Sequence, residues 1–399
     1  MANLPLRYTY RNVIRRKTRA LLTLFGLGLA VGAVVLMLAF AQSIGATFRS
    51  TGDEDNIIVI SKKAENIFVS SIDGQNSDLI KNKFYDRAKG LQLDEEGFSV
   101  LPMISPEVQI GLSVAMEGEE AYQAGLHRAV VHGLDAQLGL AMNSAVELVE
   151  GRIPEANEHE LLVGRMTATR LDVAEETVAI GRKIYMLDQE WTIVGRFSAP
   201  GSMMDCEIWA PYFPLQTYLN RYSFSYIRIK VADLSQMKAI CDELTLDQQY
   251  EVEGILEQDY FADYAAGFDY FQRFAQIVAA IIICGGLIAG MNTMYTAVLG
   301  RIREIGVLQV IGFSKRSVMI AILTESMIIS LAGGVLGCAL GYLANGLPMK
   351  MPMMAFRITV GFDTFVWAML AAVLIGIVGA FAPARQALKL RMVDAVRYQ

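Results

Sequence analysis

Charged side chains are scarce, at 19% of 399 residues against 53% hydrophobic, where an ordinary soluble globular chain carries about 25% charged residues. Mean hydropathy is +0.35, so a membrane protein is the first reading. Histidine is nearly absent. His127, His132 and His159 are the only three, and no His-Glu-x-x-His or Gly-x-Ser-x-Gly run exists, which excludes the usual zinc-hydrolase and nucleophile-elbow constellations. His127 and His132 stand five apart on strand-like sequence, an odd spacing that turns them to opposite faces and argues against a shared metal. No Gly-Lys dipeptide occurs, so the phosphate-cradling P-loop is missing and the chain does not bind ATP that way. The residues therefore offer no catalytic set, metal site or resident cofactor. The net charge of −6 gives no basic excess for a nucleic-acid partner. Of four cysteines, Cys284 and Cys338 fall in apolar runs and only Cys206 and Cys241 lie outside them. A disulfide between that pair stays open, but Cys241 sits on the stripe Leu234, Met237, Cys241, Leu244 and reads better as a buried thiol.

What the chain has in quantity is long apolar sequence. Leu21 to Ala41 contains a single polar side chain, Thr23, and 21 residues at 1.5 Å each match the ~30 Å hydrocarbon core of a bilayer. The flanking arginines and Ala39-Phe40-Ala41 also suit a cleaved signal peptide, but the run exceeds the ~7–15 residues of such a segment, which favours an uncleaved anchor. Three further runs, about Phe274–Met294, Val318–Leu343 and Phe362–Phe381, are long enough to span.

Charge divides unevenly about these runs. Residues 45–270 hold 18 basic and 37 acidic side chains, and the remainder holds 17 basic and 4 acidic. Arg7, Arg11, Arg15, Arg16, Lys17 and Arg19 precede the first span; Arg301, Arg303, Lys315 and Arg316 lie between the second and third; Arg385, Lys389, Arg391 and Arg397 follow the fourth. The positive-inside rule places both termini and the 295–317 loop in the cytoplasm and the acidic segment outside. The expected layout is a basic N-terminal segment at 1–20, spans at 21–44, 271–298, 318–343 and 362–384, an outer domain at 45–270, a cytoplasmic loop at 299–317, a short outer loop at 344–361 and a tail at 385–399.

The outer segment carries strand-like stretches at Asn56–Ile60, Val108–Ala115, Ala129–His132, Leu161–Val163, Lys183–Leu187, Trp191–Phe197, Glu207–Ala210 and Ser225–Val231, with Asp188-Gln189-Glu190 as a hairpin loop. Helices are expected at Met166–Asp172, Pro214–Asn220 and Asp233–Thr245. The fold class is thus a membrane protein of four transmembrane α-helices with an α+β extracytoplasmic domain of two lobes between the first and second. A chain that leaves and re-enters the bilayer must pair its ends beneath anything inserted between them, so a membrane-proximal lobe takes about 50–110 and 225–270, and an inserted lobe about 115–222. Asp259 to Arg273 places Tyr260, Phe261, Tyr264, Phe268, Phe271 and Phe274 at helical spacing on a continuous helix. These rings read first as lobe packing and interfacial belt, and second as the lining of an apolar path.

Two acids fall at membrane depth or its edge. Glu325 is a functional candidate by default, with pairing to a basic residue or backbone donor as the preferred reading; Asp363, beside Thr364, reads as a helix cap. Gly28 with Gly32, Gly286 with Gly290, and Gly333, Gly337 and Gly341 repeat every fourth residue, giving faces for close helix packing or for a dimer that doubles the span count.

Between the second and third spans the chain reads Gly300-Arg301-Ile302-Arg303-Glu304-Ile305-Gly306-Val307-Leu308-Gln309-Val310-Ile311-Gly312. This resembles the conserved segment of MacB/FtsX-type ABC transporter permeases, an Arg-x-x-Glu-Ile-Gly run forming the coupling helix that meets the ATPase. Arg301, Glu304, Ile305, Gly306 and Gly312 match. Arg11-Asn12 with Arg15 to Arg19 and Leu22-Thr23, and Pro383-Ala384-Arg385 with Ala387, Val393-Asp394-Ala395 and Arg397, agree as well. Gly300, Met392 and Asp394 depart from the family's usual Glu, Pro and Glu. The segments Gly151-Arg152, Gly181 to Ile184, Thr192 to Gly195 and Trp209 to Pro211 are similar to the MacB-like extracytoplasmic domain, with its porter-like lobe and inserted distal lobe.

The resemblance implies a non-catalytic permease subunit in a bacterial inner membrane that couples ATP hydrolysis by a separate ATPase subunit, which would hold ATP and Mg, to movement of the outer domain and export of a substrate. The charged groups Arg301, Arg303 and Glu304 would meet the ATPase, with Ile302, Ile305 and Leu308 on one face. The short stretch before the first span makes the ATPase a separate chain. It further implies a second permease copy, membrane lipids around both, and a periplasmic adaptor with an outer-membrane channel, or a lipoprotein, as partners. Lipoprotein extraction, signalling to cell-wall hydrolases and an ATPase-independent receptor or assembly module are the alternatives.

Overall fold

The computed structural model describes residues 17–92, 100–119, 127–351 and 354–389. Arg7, Arg11, Arg15, Arg16, Arg391, Met392, Val393, Asp394, Ala395 and Arg397 lie outside the described residues. The chain divides into two compact units. One comprises Met1–Ser43, Asp269–Leu347 and Ile358–Gln399; the other comprises Ile44–Phe268 and Pro348–Arg357.

The first unit is helical. Lys17–Arg49, Asp269–Leu299, Lys315–Tyr342 and Phe362–Ala387 are long and apolar enough to cross a membrane. A run of this composition is helical in a bilayer because every backbone N–H and C=O must find its partner within the segment. The third helix starts at Ser314, whose hydroxyl accepts from the Ser317 N–H, satisfying one of the orphan donors of the first turn. The fourth starts differently from expectation. Gly361 is its N-cap and Asp363 lies inside the first turn, where its charge favours the helix dipole without capping the end. Thr364 instead donates its hydroxyl to Gln42 Oε1 at 2.9 Å.

Among the described residues, the second unit is built on fourteen strands from its main segment, with a further pair in Pro348–Arg357. In chain order they are β1 (Asn56–Ser61), β2 (Ile72–Asp73), β3 (Gly90–Gln92), β4 (Val100–Pro102), β5 (Ile104–Met116), β6 (His127–Leu134) and β7 (Glu147–Gly151). There follow β8 (Glu160–Gly164), β9 (Lys183–Met186), β10 (Gln189–Ser198), β11 (Ile208–Pro211), β12 (Ser223–Phe224), β13 (Tyr226–Lys230) and β14 (Val252–Leu256). The main sheet runs β14-β1-β13-β5-β6-β11-β8-β10-β7, with β9 bridging β10 and β5. It is antiparallel except at β6–β11 and β8–β10.

The two largest of its hydrophobic cores lie on it. Ile57, Val59, Ile80, Phe84, Ile227, Ile229 and Ile240 fill one, and Val108, Val114, Val131, Leu161, Val163, Trp191 and Ile208 fill the other. No linker parts them. Strand β5 is 13 residues long: Ile104 to Glu107 pair with β13, and Val108 to Val114 pair with β6. The lobes therefore share a strand.

Three local differences from the sequence reading have physical causes. The β9–β10 turn centres on Leu187 and Asp188, both at positive φ, the two-residue geometry that matches strand twist, so the loop begins one residue earlier than expected. The continuous helix expected over Asp259 to Arg273 is two helices, Glu257–Ala266 and Asp269–Leu299. Gly267 is a poor helix former, and Phe268 stacks on Phe48 at 4.7 Å between ring centres. Leu234 is 58% exposed, and the stripe that packs is Met237, Ile240, Cys241 and Leu244. Tyr260 and Phe261 are buried against Ile58, Ile60 and Tyr226, and Tyr260 accepts from the Ile67 N–H, which makes them core rings. Strands β2, β3, β4, β7, β12 and β14 are not among those expected from the sequence: β7 is exposed throughout and shows no alternation, and β2, β3, β4 and β12 are only two or three residues long.

Candidate functional site

Between the second and third spans, the segment Ile302–Val310 is helical. It is amphipathic over nine residues, and its termination is written in the chain. Gly312 has φ +105°, a left-handed conformation that a side chain would strain. The Gly312 N–H donates to Gln309 O, and the Phe313 N–H to Leu308 O, closing the helix in the manner of a C-terminal glycine cap. Gly312 is thus a stop, with no contact required of it.

The two faces have different roles. Ile302, Ile305, Gly306 and Gln309 are buried, with Ile305 and the half-buried Leu308 packed among Met294, Val298, Val318, Ile322, Ala380 and Ala384. Arg303 and Glu304 are exposed, as are Val307, Val310 and Ile311. The outward surface therefore pairs two opposite charges with three apolar side chains. The sequence reading groups Ile305, Gly306 and Leu308 with the coupling residues and does not single out Val307, Val310 and Ile311. The helix buries Ile305 and Gly306 and half-buries Leu308, which holds it in place.

Arg301 does not join the outward set. It stands at the N-terminal boundary of the loop helix, and its Nη1 donates to Glu325 Oε2 at 2.7 Å, with both side chains 13% exposed. The two residues singled out separately in the sequence are one ion pair.

Of the glycines, five pack the first span against the third. A Cβ on Gly28 would lie 2.9 Å from Leu336 Cδ2, and one on Gly32 3.2 Å from Gly337 O. Facing them, a Cβ on Gly333 would lie 3.0 Å from Leu27 Cβ, one on Gly337 2.6 Å from Val31 Cβ, and one on Gly341 2.4 Å from Val35 Cγ1. Gly286 and Gly290 approach Ile375 of the fourth span. The faces of the first and third spans are consumed within one chain, as close small-residue packing requires, whereas Gly286 and Gly290 also border an open groove. Gly26 and Gly285 meet nothing within 4 Å, and they line the same groove, of about 790 Å³, between the first and second spans.

The strand-rich unit holds a buried polar cluster that no motif signalled. His132 on β6 lies between two carboxylates, Nε2 at 2.7 Å from Glu107 Oε2 and Nδ1 at 3.0 Å from Glu207 Oε2. Arg228 on β13 donates to Glu107 Oε2 at 3.1 Å and to Asn143 Oδ1 at 2.6 Å, and its Nε lies 3.4 Å from Glu257 Oε1. Burial alone would discharge the imidazole, but the two carboxylates override it and raise His132 to about 9. Burial likewise works against the Glu107 charge, yet Arg228 and His132 hold it at about 2. For Glu257 burial prevails over Arg228 and the carboxyl is shifted up. Tyr226, Arg228 and Lys230 alternate with Ile227 and Ile229, a pattern that reads as a solvated strand face, whereas all five are buried. No group of three His, Cys, Asp or Glu side chains among the described residues has the geometry to hold a metal.

The cysteines are free. Cys206 is buried, its thiol pushed up to about 12 by burial, and it donates to Met203 O and accepts from the Ala355 N–H at 3.4 Å. Burial raises Cys241 to about 11. Ala355 belongs to the antiparallel pair Pro348–Met351 and Met354–Arg357, which also offers Lys350 to Asp172 as an ion pair.

Four membrane-length helices, a two-core α+β unit between the first and second, and a short amphipathic helix after the second define a multi-pass permease-like architecture. Residues 20–247 match the MacB-like periplasmic core domain, and residues 276–392 match the FtsX-like permease C-terminal domain. The chain belongs to the MacB/FtsX-type family of ABC transporter permeases, membrane proteins with an extracytoplasmic domain that work with an ATPase partner. It is 25% identical over 97% of its length to the macrolide export ATP-binding/permease protein MacB of Haemophilus ducreyi, covering 55% of that protein. It is 20% identical over 99% of its length to the uncharacterized ABC transporter permease YknZ of Bacillus subtilis, covering 98% of it. The chain thus spans about half the length of its MacB relatives and nearly all of YknZ. Among solved structures, the periplasmic region of MacB from Actinobacillus actinomycetemcomitans is similar over 54% of this chain and 94% of that one, at 10% identity and a TM-score of 0.38.

Proposed function

We propose that the chain is the membrane subunit of an ABC exporter in which a separate ATPase subunit, carrying ATP and Mg, docks on the outward face of the loop helix. The observation that carries this reading is the division of Ile302–Val310 into a face buried in the helical unit and a face offering Arg303, Glu304, Val307, Val310 and Ile311. A short helix anchored on one side and apolar on the other suits insertion into a partner's groove, with the rim charges fixing register. Both termini and this helix are then cytoplasmic, as the Lys and Arg distribution argues. ATP-driven closure of the ATPase pair would displace the loop helices and through them the spans and outer domains. A second copy of the chain fits the open face. The second span is 11% buried in its most apolar window, and the groove beside it is lined by Gly26, Ala30, Gly285 and Ala289, which suits close helix approach.

The test is mild-detergent purification of the tagged chain from its native host, with mass spectrometry of bound proteins and an assay of vanadate-sensitive ATP hydrolysis. A stoichiometric P-loop subunit with activity is the expected result. Repeated purification without one, under conditions that preserve a known permease complex, overturns the reading and favours a receptor or assembly module.

A further inference from the structure

The loop helix is fastened to the helical unit at two ends by unlike means. At its C-terminal end, Gly312 in the left-handed region leads through Phe313 to the Ser314 cap of the third span, a sharp covalent turn. At its N-terminal end the fastening is the ion pair of Arg301 with Glu325. Glu325 stands ten residues beyond Lys315, about 15 Å along the third span at the α-helical rise.

The apolar contacts of Ile302 and Ile305 hold the helix down, but hydrophobic contact is non-directional and permits sliding. A charged hydrogen bond from a planar guanidinium is directional and sets register. Separating it would leave an unpaired charge beside a cavity of only about 40 Å³, bounded by Thr23, Thr293, Ser326, Ser330 and Gly376, which is costly away from bulk water.

On the reading that an ATPase subunit docks on the loop helix, we propose that Arg301 and Glu325 form a strut that delivers displacement of that helix to the third span. Arg301 is then a positioning residue, with no contact to the ATPase. Turn and strut together make the loop helix and the third span move as one body. The third span in turn meets the first through Gly333, Gly337 and Gly341 at backbone distance, so a displacement delivered at Glu325 reaches the first span through packing too tight to absorb it.

The experiment uses the full complex with its native ATPase subunit in lipid nanodiscs, with a fluorophore at Leu343, which is 75% exposed at the far end of the third span. Wild type, Arg301→Met, Glu325→Gln and the charge-swapped Arg301→Glu/Glu325→Arg are compared for retained ATPase subunit and for the fluorescence change on adding ATP and vanadate. The expected result is full retention of the ATPase in the single variants with the fluorescence change reduced at least about fivefold, the scale of ordinary allosteric coupling. The swap should recover at least half of it. Wild-type response in Arg301→Met, or a swap as silent as the single variants, overturns the strut while leaving the docking reading intact. Parallel loss of assembly and response in Glu325→Gln marks the pair as merely structural and also overturns it. A wild-type chain that retains no ATPase overturns the docking reading itself.

Discussion

His132 Nε2 lies 2.7 Å from Glu107 Oε2, with the two side chains 2% and 0% exposed, so the joint between the two lobes of the strand-rich unit is ionic. Glu107 is the last β5 residue paired with β13, and His132 pairs with Gln109 two positions on. The contact therefore spans the point where one core gives way to the other.

This joint makes stability depend on pH at both ends. His132 is raised from 6.5 to about 9, so its contribution is complete below about 6.5 and is lost as pH rises through 9. Glu107 is lowered from 4.5 to about 2, so its contribution is present above about 4.5 and is lost as pH falls toward 2. Thermal unfolding of the full chain, followed by tryptophan fluorescence, should show a plateau between these limits. His132→Gln should abolish the alkaline limb and cost about 3–5 kcal/mol, since the buried Glu207 loses its cation and Glu107 keeps only Arg228.

The glycines separate packing within the chain from packing between copies. Gly337→Leu should prevent folding of the helical unit, because even a Cβ there would lie 2.7 Å from Gly28 O. A Cβ on Gly26 would meet nothing within 4 Å, and Gly26→Leu should leave the protomer's melting temperature unchanged while weakening self-association. Cross-linking in membranes, together with melting curves in detergent, distinguishes the two; an unaltered dimer in Gly26→Leu would remove this groove as the site of a second copy.

On the loop helix, opposite faces should fail in opposite ways. Val307→Asp and Ile311→Asp alter exposed positions and should abolish co-purification of the ATPase with membrane insertion and melting unchanged. Ile305→Ala removes a buried side chain and should instead lower stability by about 2–5 kcal/mol. Pull-down and thermal scans on the same preparations check both.

Thiol accessibility tests the outer cysteines. Cys206 and Cys241 are free and buried with raised thiols, and the thiolate is the reactive form. Both should resist alkylation at neutral pH in the native protein and react fully in denaturant, with no mobility difference between reduced and non-reduced samples. A non-reducible-to-reducible shift in mobility would show a disulfide and contradict the fold.

Much of the architecture is legible in the chain because its signals are local. A bilayer-length apolar run has one stable backbone solution, and eight strands declare themselves by alternation or β-branched content, such as Asn-Ile-Ile-Val-Ile in β1. What resists reading is every feature that depends on a distant partner. Strand β7 is exposed and finds its place only through β10. Arg228 and Lys230 look solvated, and it is partners from other elements, among them Glu107, Asn143, Glu257, Asp53, Asp55 and the Met142 carbonyl, that make their burial tolerable.

The coupling segment shows the same division. In the sequence by itself, the family motif Arg301, Glu304, Ile305, Gly306 and Gly312 implied by resemblance that a short helix ending at Gly312 follows the second span, and the spacing of Ile302, Ile305 and Leu308 agreed with an amphipathic one. The sequence also marked Glu325, because charge is expensive at membrane depth, and Arg301, through the family motif. Only the tertiary structure decided that these two satisfy each other, that Ile305 faces inward and Val307 outward, and that the glycine faces of the first and third spans meet within one chain. The physical reason is that an amphipathic pattern states that two faces exist, while which face is buried is set by the neighbour that covers it.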